Sequence, residues 1–295
     1  MARRDMSRYP IEWLLPVLIL VFIFTVYPFG YAIWNSLFQI LLILPVKPFV
    51  GFQNYIDVVS SIYFREALFN TLLFAVITAP IIVVIALGVA RLLLTKFVGR
   101  SVVRAVVLLP WAMPGAVSGI IWVWIFHGQW GILNAILLRL GIIRSYILWL
   151  DQPILAKFSV MVAHIWTQIP FVSVLLMAAL STINKEIYEA AEVDGARPVR
   201  RLFSITLPQI KVMMLIGLIY ELIMGLTSYD LTYSMTGGGP GGATTLLSYY
   251  IWAESFKMLQ FGRGAALGVI MAVITLVLIL LIMRIVPGEL TVKEE

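Results

Sequence analysis

Six windows of this chain are each apolar enough, and long enough at about 20 residues, to cross a bilayer. They are residues 13–34, 67–90, 105–126, 158–183, 212–233 and 265–283. A soluble helical protein needs a polar face on each surface helix, and these runs leave none. Of the 295 residues, 61% are hydrophobic and only 12% charged, about half the charged share of an ordinary soluble domain. The expected fold is all-α and polytopic, with six transmembrane helices. The basic lead of Arg3, Arg4 and Arg8 precedes an apolar run too long for a cleaved leader, so that run is read as a retained first span.

Charge gives the orientation. Fourteen of the 21 Lys and Arg fall on the N-terminal lead, the segments around Lys96 and Arg200, and the tail. The positive-inside rule then places both termini in the cytoplasm of a multi-pass protein of the inner or plasma membrane. The net charge of +6 is accounted for by this topology, so no nucleic-acid partner is expected. With no cysteine and only His127 and His164, thiolate and multi-histidine metal sites are excluded.

The longest polar interruption is the central cytoplasmic segment. Asn184 is expected to cap a short helix, with Glu186 in its first turn. The helix runs to about Val193 and stops at Asp194-Gly195, where glycine supplies a left-handed residue. Pro198 suits the start of a second short helix and Pro208 the start of the next span. Ala190, Ala191 and Ala196 leave room for another surface to approach. Elsewhere, Pro110 and Pro114 predict an irregular entry to the third window. The run Gly237-Gly238-Gly239-Pro240-Gly241-Gly242 breaks the chain after the fifth, and residues 246–256 are expected to form a short interfacial helix.

Glu189-Ala190-Ala191, three residues, Gly195, nine residues and then Ile205-x-Leu207-Pro208 resembles the cytoplasmic EAA loop of ABC importer permeases. The text from Trp166 through Pro240 resembles the carbohydrate branch, the maltose and glycerol-phosphate permease type. The resemblance implies a type I importer fold, with a first span and outer loop over 1–66, a permease core over 67–286 holding the loop 184–208, and a tail over 287–295. It implies a second homologous permease, two ATP-binding subunits, an extracytoplasmic sugar-binding protein and a lipid environment. This chain would bind no cofactor and catalyse nothing, with ATP and Mg held by the partners. The residues meeting the ATPase would be Glu189, Ala190, Ala191, Asp194, Gly195 and Ala196.

Motif matching also carries substrate positions over. Leu109-Pro110 with Pro114 implies Trp111 and Gly115. Trp166 with Pro170 implies His164, Thr167, Gln168 and Phe171. Counting back from Gly238-Gly239-Pro240 implies Glu221, Met224, Gly225 and Ser228. Hydropathy separately puts Glu221 near the middle of its span, where a carboxyl group is a functional candidate by default. It serves equally as interhelical glue, and the glycines as packing positions. The function implied is ATP-driven uptake of a disaccharide or oligosaccharide. The alternatives are a glycerol-phosphate or polyol permease of the same type, and a proton-coupled secondary transporter using Glu221.

Overall fold

The computed structural model describes residues 11–285, so the basic lead and the tail 287–295 lie outside the described residues. Among the described residues, five helices are long and apolar enough to span a membrane, and a sharply bent pair brings the number to six. The helices are α1 (Ile11–Val21), α2 (Tyr27–Ser36), α3 (Gln53–Ser60), α4 (Ile62–Leu94), α5 (Arg100–Ala112), α6 (Gly115–Ile125) and α7 (Ile132–Arg139). There follow α8 (Pro153–Ser181), α9 (Lys185–Val193), α10 (Pro198–Arg201), α11 (Leu207–Thr227), α12 (Asp230–Met235), α13 (Leu247–Trp252) and α14 (Phe261–Ile285). Two compact units divide the chain, one of Met1–Ser61 with Ile251–Val273 and one of Ile62–Tyr250 with Ile274–Glu295.

In the first unit, α1 and α2 join through a π-helical segment, Phe22–Val26, into one span, Leu14–Ser36. Residues 14–31 are exposed throughout. Past its end, the buried Asn54 amide donates to the Ser36 carbonyl at 2.7 Å and the Phe38 carbonyl at 2.9 Å, satisfying backbone acceptors that the end of α2 leaves open. Gly262 sits so close to the Phe38 carbonyl that no side chain fits.

The second unit is built on α4. Its buried Ala75, Ala79, Ile82, Ala86 and Ala90 recur at helical spacing, and small residues let neighbouring helices approach where lipid gives no hydrophobic drive. Val172, Leu176 and Leu180 of α8 and Ile210 of α11 complete that core. A second cluster gathers Phe74, Phe126, Val160, Ala163, Leu231, Met235 and Leu246. The glycine-rich turn is tied to α4, where Asn70 donates to the Gly242 and Thr245 carbonyls and Thr71 Oγ1 accepts from the Leu247 amide at 2.8 Å.

Two of the six windows need correction. The third window is broken in its middle rather than at its entry. The residue before a proline is driven extended, so Met113 (ψ 141°) ends α5 and α6 leaves at a 102° bend. The fifth window is not one helix to residue 233. The helix stops at Thr227, Ser228 is extended, and α12 begins at Asp230. Gly115 and Gly119, one turn apart on α6, lie against α12. A Cβ at Gly115 would stand 2.8 Å from Asp230 Cβ, and one at Gly119 would overlap the Ser234 side chain.

The central loop follows the sequence closely. Asn184 Oδ1 accepts from the Glu186 amide at 3.1 Å. At the other end the Ala196 amide donates to Ala191 O at 2.9 Å and the Gly195 amide to Glu192 O at 3.0 Å, the paired bonds of a Schellman turn. Gly195 has φ +72°. The second short helix does not stand apart as expected. Through the π-helical segment Leu202–Thr206, α10 continues into α11 as a single span, Pro198–Thr227, so Pro208 lies within the rod.

Candidate functional site

The interruptions in α5–α6 and α11–α12 converge. Between them, against the middle of α8, lies a cavity of about 290 Å³. Pro110, Trp111, Met113 and Gly115 come from the first break, and His164, Thr167 and Gln168 from α8. Tyr220, Met224 and Thr227 come from α11, with Ser228, Tyr229, Asp230 and Leu231 at the second break. The breaks matter because irregular backbone at membrane depth is tolerated where it lines a cavity.

Several cavity groups are held without having spent all their hydrogen-bonding capacity. Thr167 Oγ1 donates to the His164 carbonyl at 2.8 Å, and the Phe74 ring packs 4.9 Å from the His164 ring. His164 Nε2 and Gln168 Oε1 are buried with no protein partner among the described residues. Trp111 is half-exposed, and its ring stacks 5.5 Å from Phe171, which in turn packs 4.4 Å from Tyr220. A planar aromatic wall with unpaired donors and acceptors beside it suits a polyhydroxylated ring, whose C–H face covers an aromatic while its hydroxyls take the polar groups.

Of the sequence-assigned substrate positions, Trp111, Gly115, His164, Thr167, Gln168, Met224 and Ser228 line this cavity. Phe171, Glu221 and Gly225 do not. Phe171 backs Trp111 and Tyr220 rather than facing the space. Gly217, Glu221 and Gly225 form one stripe on α11. Gly217 packs against Val172 and Leu175 of α8, and Gly225 lies against the Ala75 backbone of α4. Glu221 is fully buried on that stripe, with neither carboxyl oxygen hydrogen-bonded among the described residues. Sequence reasoning left Tyr220 out, although it precedes Met224 by one turn and Thr227 by two.

On α9, Glu189 and Ala190 are exposed, as are Asp194 and Gly195, while Ala196 is half-buried. Ala191 is largely buried inside the loop, with 9% of its surface exposed. A Cβ added at Gly195 would meet nothing within 4 Å, so only the backbone conformation requires glycine there. A β-branched residue forced to that φ costs about 1–2 kcal/mol. Gly195→Val is therefore expected to deform the turn and lower the melting midpoint, whereas Gly195→Asn, which tolerates left-handed φ, is expected to keep it near wild type. Thermal melting of the purified variants checks the pair.

Two interrupted helices thus border one cavity against α8, and a capped helix ends in an exposed turn at Asp194-Gly195. The sequence profile described as "Binding-protein-dependent transport system inner membrane component" matches residues 82–288. The chain is 37% identical over 275 residues to the sulfoquinovosyl glycerol transport system permease protein of Agrobacterium fabrum, covering 92% of this chain and 88% of that one. It is also 37% identical over 263 residues to the trehalose/maltose transport system permease protein of Thermococcus litoralis, covering 89% and 88%. Among solved structures, a bacterial alginate ABC transporter in complex with an alginate pentasaccharide-bound periplasmic protein superposes with a TM-score of 0.78 at 24% identity, over 93% of this chain and 92% of that chain. The fold is that of type I importer permeases.

The chain belongs to the binding-protein-dependent inner-membrane permease family. It is a multi-pass permease of the carbohydrate ABC importer type, and the subunits of that family are not themselves enzymes.

Proposed function

We propose that this chain forms one half of the translocation path of an importer for a disaccharide or oligosaccharide. It pairs with a second permease and receives its substrate from an extracytoplasmic sugar-binding protein. Two ATP-binding subunits, which hold ATP and Mg, engage α9 and the turn after it through Glu189, Ala190, Ala191, Asp194, Gly195 and Ala196. Both termini face the cytoplasm, and the core over 67–286 carries the path. The observation that supports this reading is the cavity itself, in which the half-exposed Trp111 ring stands with Gln168 and His164 polar atoms left unpaired.

A phosphate-bearing substrate is less well matched, because the charged residue lining the cavity is Asp230, a carboxylate. A proton-carrying role for Glu221 would want that side chain at the cavity, and it lies on the packing stripe instead.

Trp111→Ala and Gln168→Ala are expected to lower sugar uptake about tenfold each, the range for losing an aromatic platform or a buried hydrogen bond. Assembly and basal ATP hydrolysis should be unchanged. Uptake across a panel of labelled sugars, with ATPase measured on the same proteoliposomes, tests the assignment. Undiminished uptake in both variants would place the substrate elsewhere.

A further inference from the structure

At the end of the second unit where α9 turns, a second cavity of about 350 Å³ opens between α4, the end of α8 and the π-helical segment that joins α10 to α11. Its lining is amphiphilic. Arg91 and Arg201 supply guanidinium groups, Tyr188 and Thr206 supply hydroxyls 3.0 Å apart, and Leu94, Leu180 and Leu202 supply an apolar wall. Arg91 closes the last turn of α4 with no hydrogen bond or ion pair of its own among the described residues, and its side chain is exposed. Arg201 meets Glu192 at 3.3 Å, but that carboxylate is 74% exposed. Such a surface pair contributes little and yields readily to a better anion.

Nearby positive charge is already fixed in place. Arg100 Nε donates to the Leu93 carbonyl at 2.6 Å, and an Arg104 nitrogen donates to the same oxygen at 3.1 Å. Arg100 and Arg104 therefore stay beside the end of α4, where they raise the local potential. A single π-helical turn inside a helix also recurs at functional sites. The Leu202–Thr206 segment supplies both Leu202 and the buried Thr206 to this cavity.

We propose that this cavity is a phosphate site filled by the headgroup of an anionic phospholipid. Two guanidinium groups suit a phosphate's paired oxygens, and the hydrogen-bonded Tyr188–Thr206 pair has at most one hydroxyl proton left for a further acceptor. The leucines fit the glycerol and first methylenes of a lipid, which favours a headgroup over free phosphate. Basic pockets between spans on the cytoplasmic side bind such headgroups. The inference rests on the proposed orientation, which puts this end in the cytoplasmic leaflet. The bound lipid bridges α4 and the hinge below α9, so it stiffens the segment that turns the loop.

The test reads lipid retention with no sugar and no ATP, so its failure leaves the sugar-import reading standing, and the reverse also holds. The full-length chain, with whatever subunits copurify, is placed in nanodiscs of phosphatidylcholine with or without phosphatidylglycerol. Retained lipid is counted by native mass spectrometry and melting is followed by fluorescence. Wild type is expected to retain phosphatidylglycerol and melt higher with it. Arg91→Gln and Arg201→Gln should each weaken retention about fivefold, Arg91→Lys, which keeps the charge but loses the paired donors, should fall between wild type and Arg91→Gln, and Arg139→Gln on α7 should change nothing. If the glutamine variants fold poorly, the wild-type and Arg91→Lys comparison between the two lipid compositions decides. Equal retention by all variants, or no preference of wild type for phosphatidylglycerol, overturns the site. Arg91-dependent stabilisation by added inorganic phosphate in phosphatidylcholine discs, without retention of phosphatidylglycerol, overturns the lipid as its source.

Discussion

Gly225→Leu is expected to prevent this chain from reaching a stable folded state. A Cβ at that position would stand 3.0 Å from Ala75 Cα and 3.1 Å from Ala75 Cβ, so the obstacle is largely backbone and cannot swing aside. Both helices would have to part along the α4–α11 contact, and overpacking of this kind costs about 3 kcal/mol or more. Gly225→Ala should be destabilised by less. Gly268→Leu on α14 is the control, because a Cβ there meets nothing within 4 Å. Yield after detergent extraction and the melting midpoint check the series. A Gly225→Leu protein that melts with wild type would show that α4 and α11 do not pack as described.

The second large effect concerns Glu221. Removing a carboxyl group from water without a partner costs several kcal/mol, and here neither oxygen has one among the described residues. Glu221→Gln and the similarly sized Glu221→Met are therefore expected to melt at or above the wild-type midpoint and to keep sugar uptake. Glu221→Lys, longer and cationic on a tightly packed stripe, should fail to assemble. Melting and uptake measured together separate the roles. Uptake lost in both Gln and Met variants with assembly intact would mean that the carboxyl group meets the substrate in another conformation of the transport cycle.

The loop from Asn184 to Ala196 was legible because each of its signals is local. A cap, a first-turn acid and a left-handed glycine act within a few residues of one another, and the observed bonds follow that order. The spans were legible because hydropathy reads depth. What hydropathy does not read is which way a side chain points around the helix. It put Glu221 near the middle of the fifth window, whereas the span observed is Pro198–Thr227 with Glu221 toward its end, and it was silent on the side chain's face, which motif counting assigned to the cavity. Gly217 and Gly225, one turn to either side, mark the packing face, and taken together they point Glu221 away from the cavity. The stop at Ser228 left no sequence mark of its own, since Thr227-Ser228-Tyr229-Asp230 contains neither proline nor glycine. The Pro114 break was legible, but its 102° bend was not.

The π-helical segment at Leu202–Thr206 sets the phase of everything after it. A helix advances by 100° per residue and a π turn absorbs one residue more than an α turn, so the same residues wound as plain α-helix through that turn would rotate the whole of the following rod by about that angle. Tyr220 and Met224 would rotate off the cavity wall, and the glycine stripe would leave α4. The face that α11 turns to the cavity is thus set by a turn several helical turns upstream, none of whose residues lines that cavity.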